Sequence, residues 1–140
     1  MNRLPARALL LLPALGWMGL IFYLSSRVQS AVPLRSGLPD YVAHSGEYFI
    51  LALLCLLALH NFLPPGRAHP FWITLGWCFL YAAGDELHQH YVPTRDASFR
   101  DLGADVAGVL ALFLLLLALS RAGSKGQQLY RLLVRGQVSA

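Results

Sequence analysis

Two nearly pure hydrocarbon stretches, residues 49–59 (FILALLCLLAL) and 106–119 (VAGVLALFLLLLAL), restrict this chain more than anything else in it. Runs apolar on every face need apolar surroundings on every face, so they read as membrane-spanning helices rather than core helices of a soluble domain. Composition agrees. Of 140 residues, 56% are hydrophobic and 13% charged, where a soluble domain carries about a quarter charged. At this length one folded unit is expected. Cys55 and Cys78 lie inside apolar runs with no CxxC spacing, and read as small hydrophobes rather than as a disulfide or metal ligands. The formal charge of +4 is not a nucleic-acid signal, and no nucleic-acid partner is expected.

Against that background residues 81–108 (YAAGDELHQHYVPTRDASFRDLGADVAG) stand apart. They hold five of the seven acids and two of the five histidines. Ionisable groups beside lipid-grade sequence are costly and usually functional, which makes this stretch the candidate site.

Breaks in the apolar pattern predict four helices at about 8–24, 41–62, 71–91 and 98–120, with residues 1–120 forming one transmembrane domain and 121–140 a basic tail. The first follows Arg3 and Arg7 as a signal peptide would. Its 17 uncharged residues contain Trp17, Phe22 and Tyr23 and no A-x-A site follows, so it reads as a retained helix with aromatic interface anchors. Pro39-Asp40 starts the second helix, and three prolines and a glycine around residues 64–70 end it. The third is apolar for the 14 residues 71–84. At ~1.5 Å per residue this is too short for ~30 Å of hydrocarbon, so the following acidic turn belongs to the helix. Ser98-Phe-Arg-Asp101 fits a capping box opening the fourth.

Short loops make these helices an antiparallel bundle. The end of the first, the start of the second, the end of the third and the start of the fourth then share one side, which collects all seven acids. The other side has none and holds seven of the eleven Lys and Arg. The positive-inside rule makes that side cytoplasmic, with both termini, and turns the acids outward. The tail, with its basic residues, is expected either to lie on an anionic membrane surface or to be mobile.

Candidate binding residues are Asp40, His44, Glu47 and Tyr48 on the second helix, Asp85, Glu86 and Gln89 on the third, Arg95 in the loop, and Asp101 and Asp105 on the fourth. Spacings of three and four residues put the members from each helix on one face. Asp40 and Asp101 also sit in first turns, where an acid complements the helix dipole. Asp96 and Arg100 read as a solvated loop pair, His60 and His69 as interface residues, and His90 as a wet helix end. Glu47, Asp85, Glu86 and Asp105 lie deeper, where a carboxylate needs a partner. Arg95 is one counter-charge, able to staple helices together or to engage a phosphate.

The series Ser25-Ser26, D-x-x-x-H-x-x-E-Y (Asp40 to Tyr48), Y-x-x-G-D-E-x-H-Q (Tyr81 to Gln89), V-P-x-R (Val92 to Arg95) and D-x-x-x-D-x-x-G (Asp101 to Gly108) resembles the VanZ-like family over roughly residues 15–115. The resemblance implies a four-helix protein of the bacterial cytoplasmic membrane, in a family whose founding member is linked to teicoplanin resistance. Tyr41 stands where a lysine often follows the aspartate, which leaves Arg95 as the main cation.

Two functions follow as expectations. The first is a non-enzymatic protein that binds an envelope lipid, a cell-wall precursor or a lipid-tailed glycopeptide, and no cofactor is expected. The alternative is a hydrolase or transferase acting on a lipid-linked headgroup, with His44, Glu47, Asp85 and Glu86 as the catalytic candidates, or with a carboxylate–histidine set drawn from His44, Glu47, Asp85 and His88 holding a divalent metal. The absence of an HExxH motif and of an obvious nucleophile favours binding. An ion pathway is disfavoured by the unbroken hydrocarbon of the inner halves. Oligomeric state is not encoded in any motif.

Overall fold

The computed structural model describes residues 9–27, 39–62, 70–93, 95 and 97–135. Arg3, Arg7, His69, Asp96 and the side chain of His60 lie outside the described residues. What is described holds five α-helices and no strand.

A short 3-10 turn, Leu9–Leu11, leads into α1, Leu12–Ser25, with Pro13 in the first turn, where proline's missing N–H costs nothing. Helix α1 ends where Ser26 folds back, its Oγ and backbone N both donating to the Phe22 carbonyl. Helix α2, Asp40–Phe62, opens with an acid in its first turn. Helix α3, Pro70–Gln89, again starts on proline. Helix α4, Phe99–Arg121, is capped by Ser98, whose side chain accepts from the Arg100 N–H. This is half of the expected capping box, and the other half is filled differently, as shown below.

Helix α5, Ser124–Arg135, has no counterpart in the sequence reading of the tail. It is amphipathic, and Tyr130 and Leu133 pack against the bundle core. A Cβ on Gly126 would press on the Ala122 side chain and the Leu119 carbonyl, so glycine lets the chain turn back tightly onto the end of α4.

The buried faces follow the 3.6-residue period. On α2 they are Tyr48, Leu51, Ala52, Cys55 and Leu56, on α3 Cys78 and Ala82, and on α4 Val109, Leu112 and Leu116. Helices α2 and α4 form the most extensive interface. A Cβ on Gly108 would collide with the backbone carbonyl of Ser45, so the two backbones touch there, as small residues permit between apolar helices. Hydrogen bonds fix α1: Trp17 Nε1 donates to the Glu47 carbonyl at 2.9 Å, and the Met18 carbonyl accepts from Tyr81 Oη at 2.6 Å. Trp17, expected as an interface anchor, therefore turns partly inward.

The outer surface is apolar. Trp72, Leu80, Leu87, Phe99 and Leu114 are all more than half exposed, far beyond the scattered apolar exposure of a soluble monomer. Helices α2 and α4 are long and apolar enough to cross a membrane. Helices α1 and α3 fall short of that measure, α1 because its α-helical part is 14 residues and α3 because its last two turns hold Asp85, Glu86, His88 and Gln89.

Gly108→Val should separate α2 from α4 and lower stability by about 1–3 kcal/mol or more, the cost of overpacking. Gly103→Ala, where an added Cβ meets nothing within 4 Å, should be neutral or slightly stabilising. Thermal unfolding in detergent reads both, and equal melting temperatures for Gly108→Val and wild type would contradict the contact.

Candidate functional site

Each inner face changes from apolar to polar toward the same end of the bundle. On α1, Ile21 is followed by Ser25. On α2, Tyr48 is preceded by His44. On α3, Ala82 is followed by Asp85, Glu86 and Gln89, and on α4 Val109 is preceded by Asp105. Every one of these side chains is buried. The result is an internal polar layer above a hydrocarbon core.

Its centre is a contact between α2 and α4. His44 Nδ1 and Asp105 Oδ1 are 2.9 Å apart, each residue about 1% exposed. Gly108 makes this possible, since it lies one turn from Asp105 and touches Ser45, the neighbour of His44. The carboxylate accepts from Nδ1–H, which fixes the ring tautomer and its orientation. Asp85 and Glu47 lie within electrostatic range of Asp105.

A second chain of contacts ties the end of α3 to the end of α1. Gln89 Nε2 donates to Asp85 Oδ2 at 3.0 Å, while its Oε1 accepts from Arg95 Nη1 at 3.2 Å. Arg95 also donates through Nη2 to the Leu24 carbonyl at 3.0 Å and through Nε to the Arg27 carbonyl at 3.2 Å. The guanidinium, in a residue 8% exposed, thus caps the negative end of α1. These contacts make it a staple between the end of α3 and the end of α1.

Glu86 supplies the missing half of the α4 cap. Its Oε2 accepts from the Ser98 backbone N–H at 2.8 Å, the donor that Asp101 would take in a capping box. Asp101, half-buried, is left to face His44 and Glu86 instead: one ligand atom from each of these three residues lies within 4.8 Å of the others. Asp40 and Asp101 also border an open polar recess of about 300 Å³ with Tyr41, Ser98 and Arg100. Arg100 stands over the Tyr41 ring at 5.0 Å.

Not every candidate joins this cluster. His88 turns to α1, with Nε2 3.0 Å from Ser26 Oγ and its ring 4.5 Å from that of Phe22. The set His44, Glu47, Asp85 and His88 is therefore not the one the fold gathers. His90 is exposed, edge-on to Tyr91. Ser25 and Ser98 were not among the candidates, although both are polar residues at helix ends, which was their available signal.

Beside the layer, a groove of about 270 Å³ runs between α1 and α3. Met18, Phe22, Trp77, Leu80 and Tyr81 line it, and it reaches Asp85 and His88. Among the described residues Asp85 Oδ1, Glu86 Oε1, Asp105 Oδ2 and Tyr48 Oη are buried without a hydrogen-bond partner. A buried polar atom without a partner costs about 1–3 kcal/mol.

Comparison with known proteins bears on one question, that of kinship. No curated protein and no solved structure matches the chain. The family model described as VanZ/LLP1 matches residues 9–120, a span that takes in α1, the polar layer and all but the last residue of α4, and stops before α5. With four-fifths of its length inside that match, the chain belongs to the VanZ-like family.

Proposed function

We propose that this is a multi-pass protein of the bacterial cytoplasmic membrane that binds the polar head of a lipid-tailed ligand at its outer face. Helices α1 to α4 cross the membrane, both termini are cytoplasmic, and the polar layer lies at outer-leaflet depth. The exposed apolar belt and the one-sided placement of the acids support this topology. Helix α1 with its 3-10 turn reaches 17 residues, at the short end of what spans ~30 Å. Helix α5 carries Lys125, Arg131 and Arg135 and fits an amphipathic helix lying on the inner leaflet.

The observation that carries the functional reading is the groove between α1 and α3. An apolar slot that ends on a buried carboxylate, with Asp85 Oδ1 unpartnered, suits an amphiphile. Its hydrocarbon lies along Met18, Phe22 and Leu80, and its amine or hydroxyl reaches Asp85. Envelope lipids, lipid-linked cell-wall precursors and lipid-tailed glycopeptides all have that form, which fits a role in glycopeptide resistance. Arg95 stays a structural cap. The hydrolase reading has one observation in its favour, the His44–Asp105 pair, which is the arrangement of an oriented general base. Headgroup release from labelled lipids, abolished by His44→Gln, would support it.

Two outcomes are expected. In a Cys55→Ala/Cys78→Ala background, Ser36→Cys should label from outside intact cells and Ser139→Cys only after permeabilisation; an externally labelled Ser139→Cys overturns the topology. Purified protein should bind teicoplanin and lose that binding when the antibiotic's acyl chain is removed. Asp85→Asn should weaken it by ~10–100-fold, the equivalent of one charged hydrogen bond. Calorimetry in detergent reads this, and equal affinity for Asp85→Asn and wild type would contradict the groove.

A further inference from the structure

The cluster on the α4 side of the layer calls for a different ligand from the groove on the α1 side. We propose that His44, Glu86 and Asp101 bind one divalent metal ion of the zinc or manganese class, with Asp105 as the residue that orients His44.

The donor set is the first argument. One imidazole nitrogen and two carboxylate oxygens lie within 4.8 Å of one another. Metal–ligand bonds of about 2.0–2.2 Å keep ligand atoms at most ~4.4 Å apart, so small side-chain rotations close the set on an ion. With Nδ1 held by Asp105, the coordinating nitrogen is Nε2. This is the carboxylate–histidine–metal relay, in which the hydrogen-bonded carboxylate fixes the ring and raises its basicity. The imidazole suits zinc and the two carboxylates admit manganese, whereas calcium and magnesium favour oxygen ligands throughout.

The burial of Glu86 points to the same ion without reference to spacing. Glu86 is 7% exposed and uses only Oε2 in the α4 cap, while Oε1 has no partner. A carboxylate so buried is ordinarily paired or bound to a metal. Among the described residues neither Glu86 nor Asp101 has an ion-pair partner, and Arg100, one residue from Asp101, lies over Tyr41 instead. Three acids, Glu86, Asp101 and Asp105, thus surround one histidine. A divalent cation supplies the balancing charge and the missing partner for Glu86 together.

Access is the third. Asp101 is half-buried and borders the open recess shared with Asp40 and Arg100. An ion and its water can enter there without disturbing the groove at Asp85. The metal site and the headgroup reading are therefore separable, and either can fail alone.

The test uses the full chain in detergent, stripped with chelator and titrated with zinc or manganese, with metal content measured by elemental mass spectrometry. Wild type should retain one ion per chain. Asp105→Asn should weaken affinity by ~10–100-fold, the usual effect of losing a carboxylate that orients a ligand histidine. Asp101→Asn and Glu86→Gln, which remove a ligand, should weaken it further, and His90→Gln should leave it unchanged. Cobalt in place of zinc should give visible absorption bands that Asp101→Asn abolishes. Asp101 is only half-buried, so its variant should keep wild-type helicity by circular dichroism in the metal-free state. Less than a tenth of an equivalent in wild type, or equal affinity in Asp101→Asn, would overturn the site.

Discussion

The structure depends on the place where α2 and α4 touch backbone to backbone. At Gly108 there is no room for a Cβ against the Ser45 carbonyl, and this approach brings His44 within hydrogen-bonding distance of Asp105. A wider separation would break this contact between two buried side chains, at a cost of several kcal/mol, because a buried charge that loses its partner is far worse than a paired one. Close packing and the polar pair are therefore one feature. The apolar faces of α2 and α4 hold the helices together, and the glycine sets how near they come.

From that pair the polar layer spreads in two directions with two chemistries. Toward α1, the relay Asp85–Gln89–Arg95 ends on backbone carbonyls, so its cation closes a helix end and its carboxylate borders an apolar groove. Toward α4, Glu86 and Asp101 face His44, and among the described residues neither acid has an ion-pair partner. A single turn of α3 supplies both, since Asp85 and Glu86 are adjacent in sequence and about 100° apart around the helix. The D-E pair is thereby a divider, one acid for each side.

Much of this was legible in the sequence, where it depends on local rules. Unbroken hydrocarbon located the helices, Ser98 announced the start of α4, and spacings of three and four residues put His44 with Tyr48 and Asp101 with Asp105 on shared faces. The collection of acids at one end followed from helices alternating in direction. What the sequence withheld are choices between distant partners. The S-x-x-D pattern promised Asp101 as the cap of α4, but Glu86 from α3 took that N–H, and nothing local ranks the two. Arg95 had several acids to choose from and also caps α1 through two main-chain carbonyls. Gly108 stood in a recognisable motif, yet the reason for a glycine was visible only against Ser45. Helix α5 went unread because Gly123 and Gly126 look like breakers, while in the fold Gly126 is what allows the tight return.

The central claim is that the His44–Asp105 contact is a real, buried, energetic link between α2 and α4. A double-mutant cycle on reversible unfolding in detergent, using His44→Gln, Asp105→Asn and the pair together, measures it directly. A charge-assisted buried hydrogen bond predicts a coupling of about 1.5–3 kcal/mol. Additive single-variant effects, agreeing within about 0.5 kcal/mol, would contradict it.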